Sequence, residues 1–189
     1  MVTEDTHEEF IIAGHGGQGI ILIGKLLAQA AMSNGLEITY MPAYGAEVRG
    51  GSASCAIVIA SEPIASPVVA EADSLITMNR PSFDRFVPRV KPGGLVVMNS
   101  SLIDIRPERN DIDVLAVPAD EIAVELGSPR SANMVALGAF FQQRGLLSVD
   151  VVVRCLPAVL AQRHHTTLPV NEKAIRCGME FASKAALPG

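Results

Sequence analysis

Residues 10–34 read FIIAGHGGQGIILIGKLLAQAAMSN, an apolar run interrupted by four glycines and then resumed with helical composition. Phe10-Ile11-Ile12-Ala13 is too short for a core helix and stops at Gly14, whereas the aliphatic, Ala-rich stretch 20–32 is long enough for one. The order is therefore strand, glycine turn, buried helix. The turn, Gly14-His15-Gly16-Gly17-Gln18-Gly19, formally satisfies G-x-G-x-x-G. Glycines permit the tight reversal and leave unhindered backbone N–H groups to face an anion at the positive end of the helix. By itself such a pattern selects no cofactor, and its plainest use is close packing of helix on sheet.

Two familiar uses of the loop fail on neighbouring residues. A dinucleotide fold wants an acid roughly 20 residues on, at the end of the second strand, for the ribose hydroxyls. Strand two is expected over 36–41, and its acid, Glu37, stands near its beginning, with Tyr40-Met41-Pro42 at its end. The stretch 19–25 also spells G-x-x-x-x-G-K, but Leu26 follows where a P-loop needs Ser or Thr for magnesium. Ile20-Ile21-Leu22-Ile23 is moreover an apolar helical turn rather than a flexible cradle.

The chain has 189 residues, enough for one domain with a substantial core. Hydrophobic residues make up 49% and charged residues 19%, with a mean hydropathy of +0.32, yet no uninterrupted apolar run approaches the ~20 residues of a membrane span. The apolar surplus implies a surface covered by other subunits, or by further copies of the chain when it is isolated. Net charge of -5, the absence of a Lys/Arg cluster and 4% aromatics argue against nucleic acid. The acidic start, residues 1–8, reads as flexible and shows neither a basic nor an apolar leader region, so a cytoplasmic protein is expected. Cys55, Cys155 and Cys177 are far apart and give no zinc or iron–sulfur spacing; three buried thiols are expected. His164-His165 lacks a spaced ligand partner and reads as a solvated helix end.

Along the chain, Asn34-Gly35 closes the first helix and strand two follows, a β-α-β start with parallel strands. Residues 42–52 then leave the carboxyl end of strand two, on the edge where α/β sheets bind ligands. Further strands are expected over 52–61, 73–78, 95–98 and 112–117, with a helix opened by Pro81 and another from Pro118 to Leu126. Ser128-Pro129 reads as an N-cap with Pro at the first helical position, and Met134, Leu137, Gly138 and Phe141 as one buried stripe. A helix over 149–162 carries Pro157 as a kink, and the last helix buries Val170, Ala174, Cys177, Phe181 and Ala185. The fold class is α/β, a single three-layer α/β/α domain with a mainly parallel central sheet and a Rossmann-like start.

Three segments together are more specific than the glycine turn: Gly16-Gly17-Gln18-Gly19 before an Ala-rich helix, Tyr44-Gly45-Ala46-Glu47-Val48-Arg49-Gly50-Gly51 after strand two, and Asn133-Met134-Val135-Ala136-Leu137-Gly138-Ala139. In these the chain resembles the gamma subunit of 2-oxoacid:ferredoxin oxidoreductases, over most of residues 8–185. The resemblance implies one subunit of an enzyme that converts a 2-oxoacid, CoA and oxidised ferredoxin into acyl-CoA, CO2 and reduced ferredoxin. It implies alpha and beta partners, with a ferredoxin-like delta subunit in some assemblies, that carry thiamine diphosphate, Mg and the iron–sulfur clusters. This subunit would help to bind CoA and cover the active site. The chain has no G-D-G plus Asn pattern for Mg-thiamine diphosphate, so no catalytic or metal-binding residue is assigned to it.

The candidate ligand-binding residues are Gly14, Gly16, Gly17, Gln18, Gly19, Tyr44, Glu47, Arg49 and Asn133. Arg49 suits a CoA phosphate or a carboxylate, although Glu47 and Arg49 equally suit an internal ion pair. Lys25 reads as a snorkelling or partner-facing residue, and Asn133 as a bond to a loop of its own domain or to ligand. A free-standing nucleotide-binding protein and a purely structural assembly subunit are the alternative readings.

Overall fold

A computed structural model describes residues 6–45 and 51–185. Six strands form one sheet: β1 (His7–His15), β2 (Glu37–Tyr44), β3 (Ser52–Ala60), β4 (Ala72–Thr77), β5 (Val90–Asn99) and β6 (Asp113–Val117), in the order β2-β3-β1-β4-β5-β6. β1, β4, β5 and β6 are mutually parallel, and β3 runs antiparallel to both β1 and β2. Five strands thus share one direction and β3 opposes them. The helices are α1 (Ile20–Met32), α2 (Arg80–Phe86), α3 (Ala119–Glu125), α4 (Ala132–Arg144), α5 (Val149–Val159) and α6 (Leu168–Lys184).

Alternation along the strands separates two cores. Phe10, Ile12, Ile57, Ile59, Ile76 and Val97 point to the face covered by α1 and by α3 to α6. Ile11, Val58, Leu75, Val96 and Met98 point to the other, covered by Phe83 and Phe86 of α2 and by Val69, Ile103 and Ile112 from connecting segments. The three layers are therefore lopsided. α4 lies deepest: every residue from Ala132 to Phe141 is buried, and Phe140 meets Phe10 edge to face at 5.4 Å. The single stripe expected for this helix is replaced by burial all round, which is what a helix enclosed by sheet and other helices requires.

Several boundaries shift for physical reasons. β2 extends through Pro42-Ala43-Tyr44, because an edge strand tolerates a proline whose missing N–H is not needed by its neighbour. β2 and β3 pair antiparallel as a hairpin, and β1 and β2 are near neighbours with β3 between them. Pro129 opens a 3-10 turn, Pro129–Ser131, ahead of α4. α5 ends two residues after Pro157, and the His pair lies in a 3-10 segment, Gln162–Thr167. α6 buries Asn171, Ala174, Ile175, Gly178 and Ala182, a stripe offset from the expected one, while Cys177 and Phe181 are half-buried. Of the start expected to be flexible, His7 and Glu8 belong to β1, and residues 1–5 lie outside the described residues. Glu8 is ion-paired with Arg144 of α4, yet burial outweighs the guanidinium and raises its carboxyl above the ordinary value.

Candidate functional site

The chain leaves β1 towards β2 by way of α1 on one face, and leaves β4 towards β5 by way of α2 on the other. β1 and β4 are adjacent and parallel, so the strand order reverses between them and their carboxyl ends open a crevice. The glycine turn follows β1 and Asn79 follows β4, so the turn lies at this point. Asn79 caps α2, its Oδ1 accepting the Ser82 N–H at 3.0 Å, and the Ser82 hydroxyl donates to the Gly14 carbonyl at 3.3 Å.

The β2–β3 hairpin reaches the same edge. Gly16 N–H donates to the Gly51 carbonyl at 2.8 Å, so the two glycine-bearing loops are joined directly. A cavity of about 310 Å3 lies between them and α2, lined by Gly14, His15, Ser52, Asn79, Ser82 and Arg85 among others. Its volume is at the lower end of the roughly 300–1,000 Å3 typical of small-molecule sites.

Within the turn, the glycines differ in role. Gly17 has φ of 103° with nothing near the place of a side chain, so the backbone there is open. Gly19 has φ of 72° and precedes α1, whose first turn has no side-chain cap. A Cβ on Gly14 would meet Gln18 Oε1 at 2.5 Å and Ile20 Cδ1 at 2.7 Å. Gln18 braces the turn: its Oε1 accepts the His15 N–H at 2.9 Å and its Nε2 donates to the Met78 carbonyl at 2.9 Å. Asn133, 3% exposed, donates from Nδ2 to the Gly19 carbonyl at 3.2 Å, and its Oδ1 accepts the Met134 N–H at 2.9 Å. Both amides are engaged inside the domain, while the peptide edges of Gly16 and Gly17 are exposed.

Tyr44 is 70% exposed at the end of β2, on the rim of the hairpin. Glu47 and Arg49 lie outside the described residues. Lys25 is exposed on α1. Cys55 is buried beneath Gly24 of α1, and burial pushes its thiol up to about 12. Cys55 and Cys155 are buried and Cys177 half-buried, on β3, α5 and α6 respectively. Among the described residues no group of three or more His, Cys, Asp or Glu is placed to hold a metal ion, and no helix is long and apolar enough to cross a membrane.

The α2 side of the crevice escaped the sequence reading. Asn79 followed by Pro81 at the end of an apolar strand is an N-cap signal that marks this loop, and it leads to Ser82, Arg85 and Phe86.

A glycine turn feeding a buried helix at the reversal point of a mixed α/β sheet defines the class, and comparison with known proteins gives the family. The family model for pyruvate ferredoxin/flavodoxin oxidoreductase matches residues 9–181, and the chain belongs to this family. It is 45% identical over 174 residues to the ketoisovalerate oxidoreductase subunit VorA of Methanothermobacter marburgensis, covering 92% of this chain and 36% of that protein. The chain thus spans about a third of that relative's length. It is 33% identical to the 2-oxoglutarate synthase subunit KorC of Methanocaldococcus jannaschii, covering 94% of this chain and 95% of that one.

Among solved structures, it is similar to the gamma subunit of a keto/oxoacid ferredoxin oxidoreductase from Geobacter sulfurreducens, with TM-score 0.80, 26% identity and coverage of 94% and 99%. It is also similar to a 2-oxoglutarate:ferredoxin oxidoreductase from Magnetococcus marinus solved with 2-oxoglutarate, coenzyme A and succinyl-CoA bound, with TM-score 0.86 and 26% identity, over 96% of this chain and 32% of that one.

Proposed function

We propose that this chain is the gamma subunit of a multi-subunit 2-oxoacid:ferredoxin oxidoreductase and that its glycine crevice contributes to binding CoA. In this reading alpha and beta subunits, with a ferredoxin-like delta subunit where present, carry thiamine diphosphate, Mg and the iron–sulfur clusters, and the complex works in the cytoplasm. It joins the 2-oxoacid to CoA with loss of CO2 and reduction of ferredoxin. The observation that supports it best is the likeness to the Magnetococcus enzyme, a relative described with CoA bound. The crevice suits such a ligand, because Gly17 offers exposed backbone beside the start of α1. Gln18, Gly14, Gly19 and Asn133 then hold the loop in shape, Tyr44 forms its rim, and Glu47 and Arg49, between β2 and β3 in the sequence, supply charge.

The test is kinetic and uses the assembled complex. Gly17→Val places a β-branched residue at φ of 103°, a region that L side chains avoid, without a clash elsewhere. Arg49→Ala removes one cation. Each is expected to raise the KM for CoA more than that for the 2-oxoacid. For Arg49 the factor is on the order of ten- to a hundredfold, since a charge-assisted contact is worth ~1.5–3 kcal/mol. Normal assembly with an unchanged KM for CoA in both variants makes the loops structural and overturns the assignment.

A further inference from the structure

Two arginines flank the Phe86 ring at the end of α2, Arg85 within the helix and Arg89 in the 3-10 turn after it, and of the two only Arg85 lacks a hydrogen-bond or ion-pair partner among the described residues. The Arg85 guanidinium lies over Phe86, 5.1 Å from the ring centroid, and the side chain is exposed. Its neighbour Arg80 is paired with Asp84 at 2.9 Å, and Arg89 donates to the Val69 and Ala70 carbonyls. Arg85 has no hydrogen bond or ion pair of this kind among the described residues. It lines the 310 Å3 crevice and also an adjoining cavity of about 270 Å3 that runs along Met41, Pro42 and Val68. Ser54, Arg85 and Phe86 are shared by the two.

Charge singles this region out. The chain carries a net -5, yet no Asp or Glu stands among the described residues lining either cavity, whereas His15, Arg85 and Arg89 do. A cleft of one sign with low-dielectric walls focuses its field on the opposite charge. A guanidinium stacked on an aromatic ring is held in place and matches phosphate oxygens two at a time.

We propose that the two cavities form one groove for an organic diphosphate, in which Arg85 is the side chain that contacts the phosphates. The proposal rests on the reading that the glycine crevice faces CoA, and it adds the residue and the direction in which the diphosphate lies: from the glycine turn along α2, away from α1. Arg85 is exposed and makes no hydrogen bond or ion pair among the described residues, so its replacement is expected to leave the fold intact.

Calorimetric titration of the full chain with ADP and with CoA tests this, using the wild type, Arg85→Gln and Arg85→Lys, with circular dichroism as the check on folding. The wild type binds both ligands, Arg85→Gln weakens both about ten- to a hundredfold, and Arg85→Lys recovers part of the loss. ADP binding that depends on Arg85 but is not displaced by CoA supports the groove and removes the CoA reading. CoA binding that is unaltered in Arg85→Gln keeps the CoA reading and overturns the role of Arg85. Failure of the wild-type chain to bind either ligand at millimolar concentration overturns the groove.

Discussion

Gln18 occupies a variable slot of the glycine pattern, where the motif asks for no particular side chain, yet it links two loops. Its carboxamide accepts from His15 N–H and donates to the Met78 carbonyl, tying the β1–α1 turn to the β4–α2 loop across the crevice. Asn133 does the same from below, holding the Gly19 carbonyl with a residue 114 positions away. Replacing Gln18 with Leu keeps the bulk and removes both bonds, leaving a part-buried donor and acceptor unsatisfied at about 1–3 kcal/mol. Chemical denaturation of Gln18→Leu is therefore expected to lower the unfolding free energy by about 2 kcal/mol. Wild-type stability would show that the amide is not a brace.

α4 and α6 approach each other through glycines. A Cβ on Gly138 would run into the Ile175 carbonyl, and one on Gly178 into the Val135 carbonyl, so each helix presents its backbone to the other. Gly138→Ala and Gly178→Ala gain helix propensity but overpack a backbone contact that has no flexible side chain to yield. Each is expected to destabilise by about 2–3 kcal/mol and to lower Tm by roughly 4–12 °C, read by circular dichroism. An unchanged Tm would mean the helices part freely.

These two glycines also explain what the sequence concealed. Hydrophobic periodicity weights large side chains, so the α6 stripe was drawn through Val170, Cys177 and Phe181, whereas close packing selected Asn171, Gly178 and Ala182. The β1–turn–α1 unit was legible because a short aliphatic run, glycines and an Ala-rich run permit one reading. The β2–β3 hairpin was not, because its turn carries no two-residue hairpin signal and Pro42 resembled a terminator. Gly45 N–H bonds the Ser52 carbonyl, so by alternation the Pro42 nitrogen faces away from β3. That edge therefore lacks one donor for pairing with another strand.

At the scale of the molecule, much of the apolar content that suggested a covered surface is internal, since β1, β4 and β5 are largely buried and α4 is buried from Ala132 to Phe141. The exposed large hydrophobics include Met41 and Val68, which line the groove, and Tyr44 at the end of β2. The candidate ligand site lies open on that same edge. In the proposed reading, partner subunits cover this edge and so enclose a ligand held in the groove. The cysteines are dispersed over three elements, and the Cys55 thiol, held at about 12, stays protonated at neutral pH, so the chain offers no thiolate there for redox work. The purified chain supplied with a 2-oxoacid, CoA, thiamine diphosphate and Mg is accordingly expected to leave a viologen dye oxidised. Adding the partner subunits is expected to turn reduction on, with a KM for CoA that depends on the glycine crevice. Turnover by the chain alone would sink this reading, because it would require within one domain the electron-transfer and carbanion-stabilising chemistry that the reading assigns to its partners.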